Sequence, residues 1–259
     1  MQYVDIHSHL NLEPLSERKD EIMARMRQEG VATITVGTGL ATSCDAIAIA
    51  EAYPECFATV GIHPTDSQEP FDAVVFRELA RHPKVVAIGE TGLDYFRDQT
   101  AETKAKQTAL FHEHIALAQE VGKPLMLHVR ASKGSDDAYY DALAILKDQQ
   151  FSGKANFHFF SGSKACMLDI IAAGYTVSVD GPITFTTDYD DMIRACPIES
   201  IMIETDAPFA APKPYRGQPC EPWMVIEVAK KIAELKGLDL GVAQKQLLKN
   251  THDFFGIEV

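Results

Sequence analysis

Histidine and carboxylate residues recur directly after short apolar runs in this sequence, and the first such place holds His7-Ser8-His9. In an extended chain, residues two apart project to the same face, so His7 and His9 can reach one ion together. Neutral imidazole is the commonest transition-metal ligand. The pair alone fits two surface histidines equally well, and the rest of the chain must decide between these interpretations.

The later apolar runs end in the same kinds of residue. Polar residues scattered over the surface would not occur at the same end of every strand. Residues with a purely structural role would not be limited to the types that bind metals. The set therefore predicts a site for divalent ions. Its members are His63, Glu90, Asp94, His128, His158, Glu204 and Asp206.

Eight β-rich runs alternate with amphipathic stretches, and this pattern predicts an α/β protein with the TIM (β/α)8 barrel fold. A doubly wound open sheet is the alternative, although it usually has fewer strands. The length suits a single domain over residues 1–259. In such a barrel the polar ends of the strands meet at one face. The predicted strands are Tyr3–Ile6, Thr33–Val36, Phe57–Gly61, Val85–Gly89, Pro124–Leu127, a sixth from Asn156–Phe157, Thr176–Val179 and Ile201–Ile203, and the clearest helices are Glu102–Val121 and Glu221–Leu235.

The composition limits the possible partners and compartment. The net charge of −13 argues against a broad basic face for duplex nucleic acid. Five cysteines without a CxxC pair indicate a reducing compartment. The amino terminus lacks the pattern of a signal peptide, and no apolar run is long enough to span a membrane. We therefore expect a cytoplasmic protein without membrane association.

The motifs, taken in order, resemble those of the TatD family of metal-dependent deoxyribonucleases, and the resemblance extends over nearly the whole chain. Val129 and Phe159 depart from residues common in the family, but neither change removes a ligand. Ser132-Lys133-Gly134 stands where many relatives have an acidic residue. The matching motifs are Asp5-Ile6-His7-Ser8-His9, Gly61-Ile62-His63-Pro64, Gly89-Glu90-Thr91-Gly92-Leu93-Asp94-Tyr95, His128-Val129-Arg130, His158-Phe159-Phe160-Ser161-Gly162, Glu204-Thr205-Asp206-Ala207-Pro208, Arg216-Gly217-Gln218 and Glu221-Pro222.

The resemblance implies an amidohydrolase-type barrel that hydrolyses DNA phosphodiesters, often as an exonuclease, with divalent ions. We assign His7, His9 and Asp206 to one ion. A second ion would take His128 and His158, with Glu90 bridging the two ions. Two ions can activate a water and clamp a phosphate. Asp206 and Glu90 are the predicted catalytic residues, with Asp206 as a proton acceptor.

The predicted cofactor is thus a pair of divalent ions, drawn from zinc, manganese, magnesium, nickel or iron. Four histidines among six ligands favour a transition metal, because magnesium prefers oxygen ligands.

Residues near these ligands are candidates for substrate contacts. His63 is a candidate for binding a phosphate oxygen, and Arg130 and Arg216 for charge-assisted phosphate contacts. Asp94 and Glu204 are expected to orient the ligands. The expected partner is DNA, single-stranded or at strand ends, bound locally through a few nucleotides because the chain is acidic. No stable protein partner is predicted.

Two other classes remain open. A small-molecule amidohydrolase, cleaving amides or esters, often bridges its ions with a carbamylated lysine on strand four. Here that strand leads to Glu90, and Lys84 precedes it at the wrong end. The third class is a non-catalytic metal-binding barrel. An inactive relative would be expected to lack some ligands, whereas this sequence has a suitable residue at every position.

Overall fold

Eight parallel strands form one sheet in the computed structural model, which describes residues 1–97 and 100–258. The strands lie in sequence order, each paired with the next. This order and the intervening helices confirm the predicted TIM barrel. The strands are β1 (Tyr3–Ser8), β2 (Val31–Val36), β3 (Cys56–Val60), β4 (Val85–Asp94), β5 (Leu125–Arg130), β6 (Ala155–His158), β7 (Thr176–Val179) and β8 (Ile201–Ile203).

Helices follow the strands and cover the outside of the sheet. Helix α4 begins after Thr100, whose hydroxyl accepts from the Thr103 amide, and it ends where Gly122 takes the left-handed conformation. The helices are α1 (Lys19–Glu29), α2 (Leu40–Ala52), α3 (Ala73–Ala80), α4 (Ala101–Val121), α5 (Asp137–Asp148), α6 (Lys164–Ala172), α7 (Asp190–Ala195), α8 (Val225–Lys236) and α9 (Leu240–Phe255).

The strands are covered on both faces. Every residue of β1, β2 and β4 is buried, as expected for parallel strands between a barrel interior and a layer of helices. Val4 and Ile6, two apart on β1, share a buried cluster with Ala32 and Ile34 of β2. Because side chains alternate along a strand, the intervening Asp5 and Thr33 project to the other face of the sheet. There the two side chains hydrogen-bond across the two strands.

The barrel closes at the carboxyl ends of its first and last strands. Ser8 and Ala207 form a parallel bridge, and the His9 amide donates to the Ala207 carbonyl at 2.7 Å. The Asp206 amide donates to the His7 carbonyl at 2.9 Å. The closure therefore fixes His7 and His9, at the end of β1, against the loop that carries Asp206.

Several predicted boundaries differ from the structure by one to three residues, and two differ by more. The fourth strand does not end at Gly89, because β4 continues to Asp94 by pairing with β5 up to Asp94 and Arg130. The helix predicted at Glu221–Leu235 is a short 3-10 turn, Pro222–Met224, followed by α8. Among the described residues, no helix combines the length and apolar character needed to cross a membrane.

Candidate metal centre

Glu90 lies at the centre of the site, and the glycine before it explains its position. Gly89 has φ of +150°, and a side chain there would collide with the Met126 carbonyl of β5. The pairing between β4 and β5 is irregular from Ile88 to Thr91. The Glu90 amide donates to the Gly37 carbonyl at 2.9 Å, and the residue is only 3% exposed. The irregular backbone therefore directs this carboxylate into the barrel mouth.

One oxygen of Glu90 contacts three histidines from three other strand ends. Glu90 Oε1 lies 2.8 Å from His128 Nδ1 and 2.9 Å from His158 Nε2. His63 Nε2 lies 3.4 Å from the same oxygen. The structure thus brings together the two histidines assigned to the second ion and adds His63 to them.

The other oxygen of Glu90 faces the two histidines at the end of β1. Glu90 Oε2 lies 3.4 Å from His7 Nε2 and 3.8 Å from His9 Nε2. Asp206 Oδ1 lies 3.4 Å from His9 Nε2 and 3.7 Å from His7 Nε2. Asp206 has φ of +52°, a conformation that costs energy for a non-glycine residue and is typical of functional sites. The carboxylate of Glu90 therefore lies between two groups of potential ligands.

Asp94 orients His128. Its Oδ2 lies 3.1 Å from His128 Nε2, while its Oδ1 accepts from the amides of Phe96 and Arg97, each at 3.0 Å. With Nε2 engaged by Asp94, the Nδ1 atom is the one that faces Glu90. This is the arrangement by which an outer carboxylate fixes the tautomer of a ligating histidine.

Glu204 holds the outer side of His158. Its Oε1 lies 3.5 Å from His158 Nδ1 and also accepts from the Phe159 amide. Its Oε2 accepts from the Ser178 hydroxyl at 3.0 Å. Phe159 has a positive φ of +44°, so this hydrogen bond stabilises an unusual backbone beside the ligand. The positions of Asp94 and Glu204 fit the orienting role predicted from the sequence.

Burial and close charged partners together determine the pKa values of the carboxylates and histidines of this site. Burial opposes charge on Glu90, but the surrounding histidines outweigh it and hold the pKa of Glu90 well below its ordinary value. The pKa of Asp206 is lowered in the same way, by His9 and His7 against burial. Burial and the nearby His128 lower the pKa of His63 to about 3. At neutral pH both carboxylates are therefore ionised, and His63 is neutral.

The donor atoms fit a pair of divalent cations. His7 Nε2 lies 3.3 Å from His9 Nε2, and His128 Nδ1 lies 3.4 Å from His158 Nε2. Such close ring nitrogens repel when both present lone pairs, and a shared cation relieves the repulsion. The groups His7, His9, Asp206 and His63, Glu90, His128 each offer three donor atoms within 4.8 Å of one another, as do His7, Glu90, His158. Imidazoles with a few carboxylates are typical ligands of transition metals.

Five of the six predicted ligands, all except His7, line a cavity of about 780 Å³, a size typical of small-ligand sites. Arg130 lines this cavity, and so do Arg97 and Lys133. Arg216, in contrast, is exposed, stacks on the Phe185 ring with its guanidinium carbon 3.6 Å from the ring centre, and is not among the cavity residues. Of the two predicted phosphate-binding arginines, the structure places Arg130 at the site.

Sequence reasoning overlooked Asp180, which directly follows β7. It is 3% exposed, and among the described residues its Oδ2 has no hydrogen-bond partner. Burial raises the pKa of Asp180 well above its ordinary value, and the nearby Glu204 and Asp206 raise it further. The signal was a carboxylate at a strand end, the same signal that identified Glu90 and Asp206.

We predict that Asp180→Asn stabilises the metal-free protein at high pH. Because the folded-state pKa of Asp180 is raised, the folded state holds this proton more tightly than the unfolded state. The free energy of unfolding therefore falls as the pH rises above about 3.9, which is the pKa of an aspartate in the unfolded chain. The neutral amide of the asparagine side chain removes this pH dependence. We therefore expect the variant's gain in free energy of unfolding over the wild type to be larger at pH 8 than at pH 4 by about 1 kcal/mol or more, since one pKa unit corresponds to about 1.4 kcal/mol. Urea unfolding of the chelated protein at both pH values measures the gain.

Asp188→Asn is the control, because Asp188 is an exposed aspartate a few residues away. It should show no such pH-dependent gain. An equal effect of Asp180→Asn at pH 4 and pH 8 would contradict the assignment of a costly buried carboxylate.

Comparisons with known proteins identify the family of this chain. The model of the family described as TatD related DNase matches residues 4–256. The uncharacterized metal-dependent hydrolase YabD of Bacillus subtilis (strain 168) is 36% identical over 238 residues, 90% of each chain. The 3'-5' ssDNA/RNA exonuclease TatD of Klebsiella pneumoniae (strain 342) is 33% identical over 267 residues, 98% of each chain. The crystal structure of the TatD homologue YjjV of Escherichia coli K12 has a TM-score of 0.91 at 28% identity, covering 99% of each chain. The chain therefore belongs to the TatD-related DNase family of metal-dependent hydrolases.

Proposed function

We propose that the protein is a two-metal phosphodiesterase that removes nucleotides from the ends of single-stranded DNA. The observation that carries the proposal is the position of Glu90, whose two oxygens face separate groups of ligands. A cavity wide enough for a nucleotide opens above this carboxylate. The substrate class follows the relative named as a 3'-5' ssDNA/RNA exonuclease, which suggests a free 3′ end as the point of attack.

The ligands divide between the two oxygens of Glu90. His7, His9 and Asp206 would hold one ion on the Oε2 side. His128 and His158 would hold the other on the Oε1 side, where His63 is a further donor. When bound, the ions would lower the pKa of a water and neutralise phosphate charge.

Asp206 has the properties of the proton acceptor. Its pKa is lowered, so the carboxylate is ionised at neutral pH and can take the proton that the attacking water loses. The backbone hydrogen bond from its amide to the His7 carbonyl fixes its place beside His7 and His9. Its position in the cavity lining gives a substrate direct access to it.

The rim of the cavity suits a phosphate chain, although the whole protein is acidic. Arg97, Arg130 and Lys133 line the cavity above the ligands. Guanidinium and ammonium groups make charge-assisted hydrogen bonds to phosphate oxygens. With so few basic groups, only a few phosphates are engaged, so we propose local binding at a strand end.

Lys84 argues against a carbamylated-lysine amidohydrolase. Its Nζ donates to the carbonyls of Pro54 and Cys56 at 2.8 and 3.0 Å, at the start of β3 and far along the strands from the ligands. Among the described residues, the lysine that lines the cavity is Lys133, which lies in the loop after β5. Glu90, not a lysine, lies between the two groups of potential ligands.

The test compares oligonucleotides with small-molecule substrates. We expect the metal-loaded protein to shorten single-stranded DNA with a free 3′ end, to spare a 3′-blocked oligonucleotide, and to lose this activity after chelation. A panel of lactones and cyclic amides should remain intact. Hydrolysis of that panel without cleavage of DNA would instead establish a small-molecule amidohydrolase.

A further inference from the structure

Exposed aromatic side chains are concentrated at the mouth of the metal-centre cavity. Among residues 1–97 and 100–258, three aromatic side chains are largely exposed: Phe96 at 48%, Phe209 at 52% and Tyr140 at 44%. Phe96 and Phe209 both line the cavity. Single exposed apolar residues are common on proteins, but two phenylalanines at one cavity mouth indicate a binding surface.

Phe209 is fixed beside the first group of ligands. Its amide donates to the Asp206 carbonyl at 2.8 Å, which places it in the turn that follows this ligand. Its ring centre lies 6.3 Å from that of His9, with the two rings at 67°. A group bound against Phe209 would therefore lie next to the ion held by His7 and His9.

Phe96 is fixed in a comparable way beside the second group. Its amide donates to Asp94 Oδ1, and the other oxygen of that carboxylate contacts His128. The Arg130 guanidinium lies over its ring, 4.0 Å from the ring centre. The backbone amide of each phenylalanine thus bonds to an aspartate of the metal centre: Phe209 to the main-chain carbonyl of Asp206, and Phe96 to the carboxylate of Asp94.

We propose that Phe209 and the Phe96–Arg130 pair are stacking surfaces for the nucleobases that flank the phosphodiester bond to be cut. This inference rests on the proposed function, because it assumes a nucleic acid substrate. Aromatic rings and guanidinium planes both stack on bases, irrespective of sequence. Bases in a duplex are already stacked on one another, so these surfaces select single-stranded ends.

Stacking also explains how an acidic protein can bind an anionic chain. With a net charge of −13, long-range electrostatics oppose nucleic acid binding. Base stacking is insensitive to this charge and contributes at least as much per base as a typical hydrogen bond. The binding of substrate should accordingly depend on its bases more than on the number of its phosphates.

The experiment compares two single-stranded oligonucleotides, one intact and one with abasic sites at its last two positions. We expect the metal-loaded wild type to show a KM about a hundredfold lower for the intact oligonucleotide, since stacking of one base corresponds to about tenfold and two bases are missing. In Phe209→Leu and in Phe96→Leu, the ratio of the two KM values should fall about tenfold, because each variant retains one of the two stacking surfaces. Leucine keeps an apolar side chain and removes only the aromatic face.

Tyr140→Leu is the matched control, because Tyr140 is an exposed aromatic residue on α5 outside the cavity lining. It should retain the full ratio of about a hundredfold. Equal KM values for both oligonucleotides in the wild type, or an unchanged ratio in both phenylalanine variants, would overturn the stacking proposal and leave the phosphodiesterase activity established. Failure of the wild type to cleave either oligonucleotide is a different result, which would overturn the proposed function and this inference with it.

Discussion

Glu90→Gln is expected to lower metal-stimulated hydrolysis by about a thousandfold or more. The amide removes a negative charge that faces five imidazole nitrogens and replaces one accepting oxygen with a donor. Neither group of ligands then retains its shared carboxylate. Initial rates on single-stranded DNA and on a phosphodiester reporter, with ions in excess, measure the loss.

The loss should occur without unfolding, because the hydrogen bond from residue 90 to the Gly37 carbonyl is made by the backbone amide. Circular dichroism checks this point. Glu55→Gln is a matched control, since Glu55 is also buried but precedes β3 and pairs with Arg27. It should keep the wild-type rate. Full activity of Glu90→Gln on both substrates would refute the two-metal assignment.

Asp206→Asn is expected to lower the rate by about a hundredfold to ten-thousandfold, the usual contribution of a proton acceptor. The amide cannot accept the proton, and it weakens the group formed with His7 and His9. Bound metal should therefore fall from two ions per chain towards one. Steady-state kinetics and elemental analysis of the same preparation measure the two effects together.

Asp188→Asn serves as the exposed control for this variant and should retain both ions and the full rate. If Asp206→Asn kept two ions but lost activity, proton transfer alone would be its role. A variant with two ions and the wild-type rate would contradict both roles.

The spacing of the histidines was informative because residues two apart in an extended chain share a face. His7 and His9 project to the same face, and their ring nitrogens lie 3.3 Å apart. Glu90 and Asp94 were recognised by residue type at a strand end, although the strand itself runs on to Asp94. The barrel fold followed from eight apolar runs with helices between them.

The remaining details depend on distances that local patterns do not encode. His63 was interpreted as a phosphate contact, and the pairing of β3 with β4 also brings its Nε2 to 3.4 Å from Glu90 Oε1. Arg216 stacks on Phe185, and neither residue lines the cavity. The exposed Phe96 and Phe209 acquire meaning only once the cavity is seen.

A metal titration tests the central claim most directly. Chelated protein receives a divalent ion in steps, and each sample is assayed for cleavage of single-stranded DNA. The two groups of ligands that share Glu90 predict that activity rises until about two equivalents are bound and then remains constant. Full activity in the chelated protein, or a maximum at one equivalent, would contradict the account.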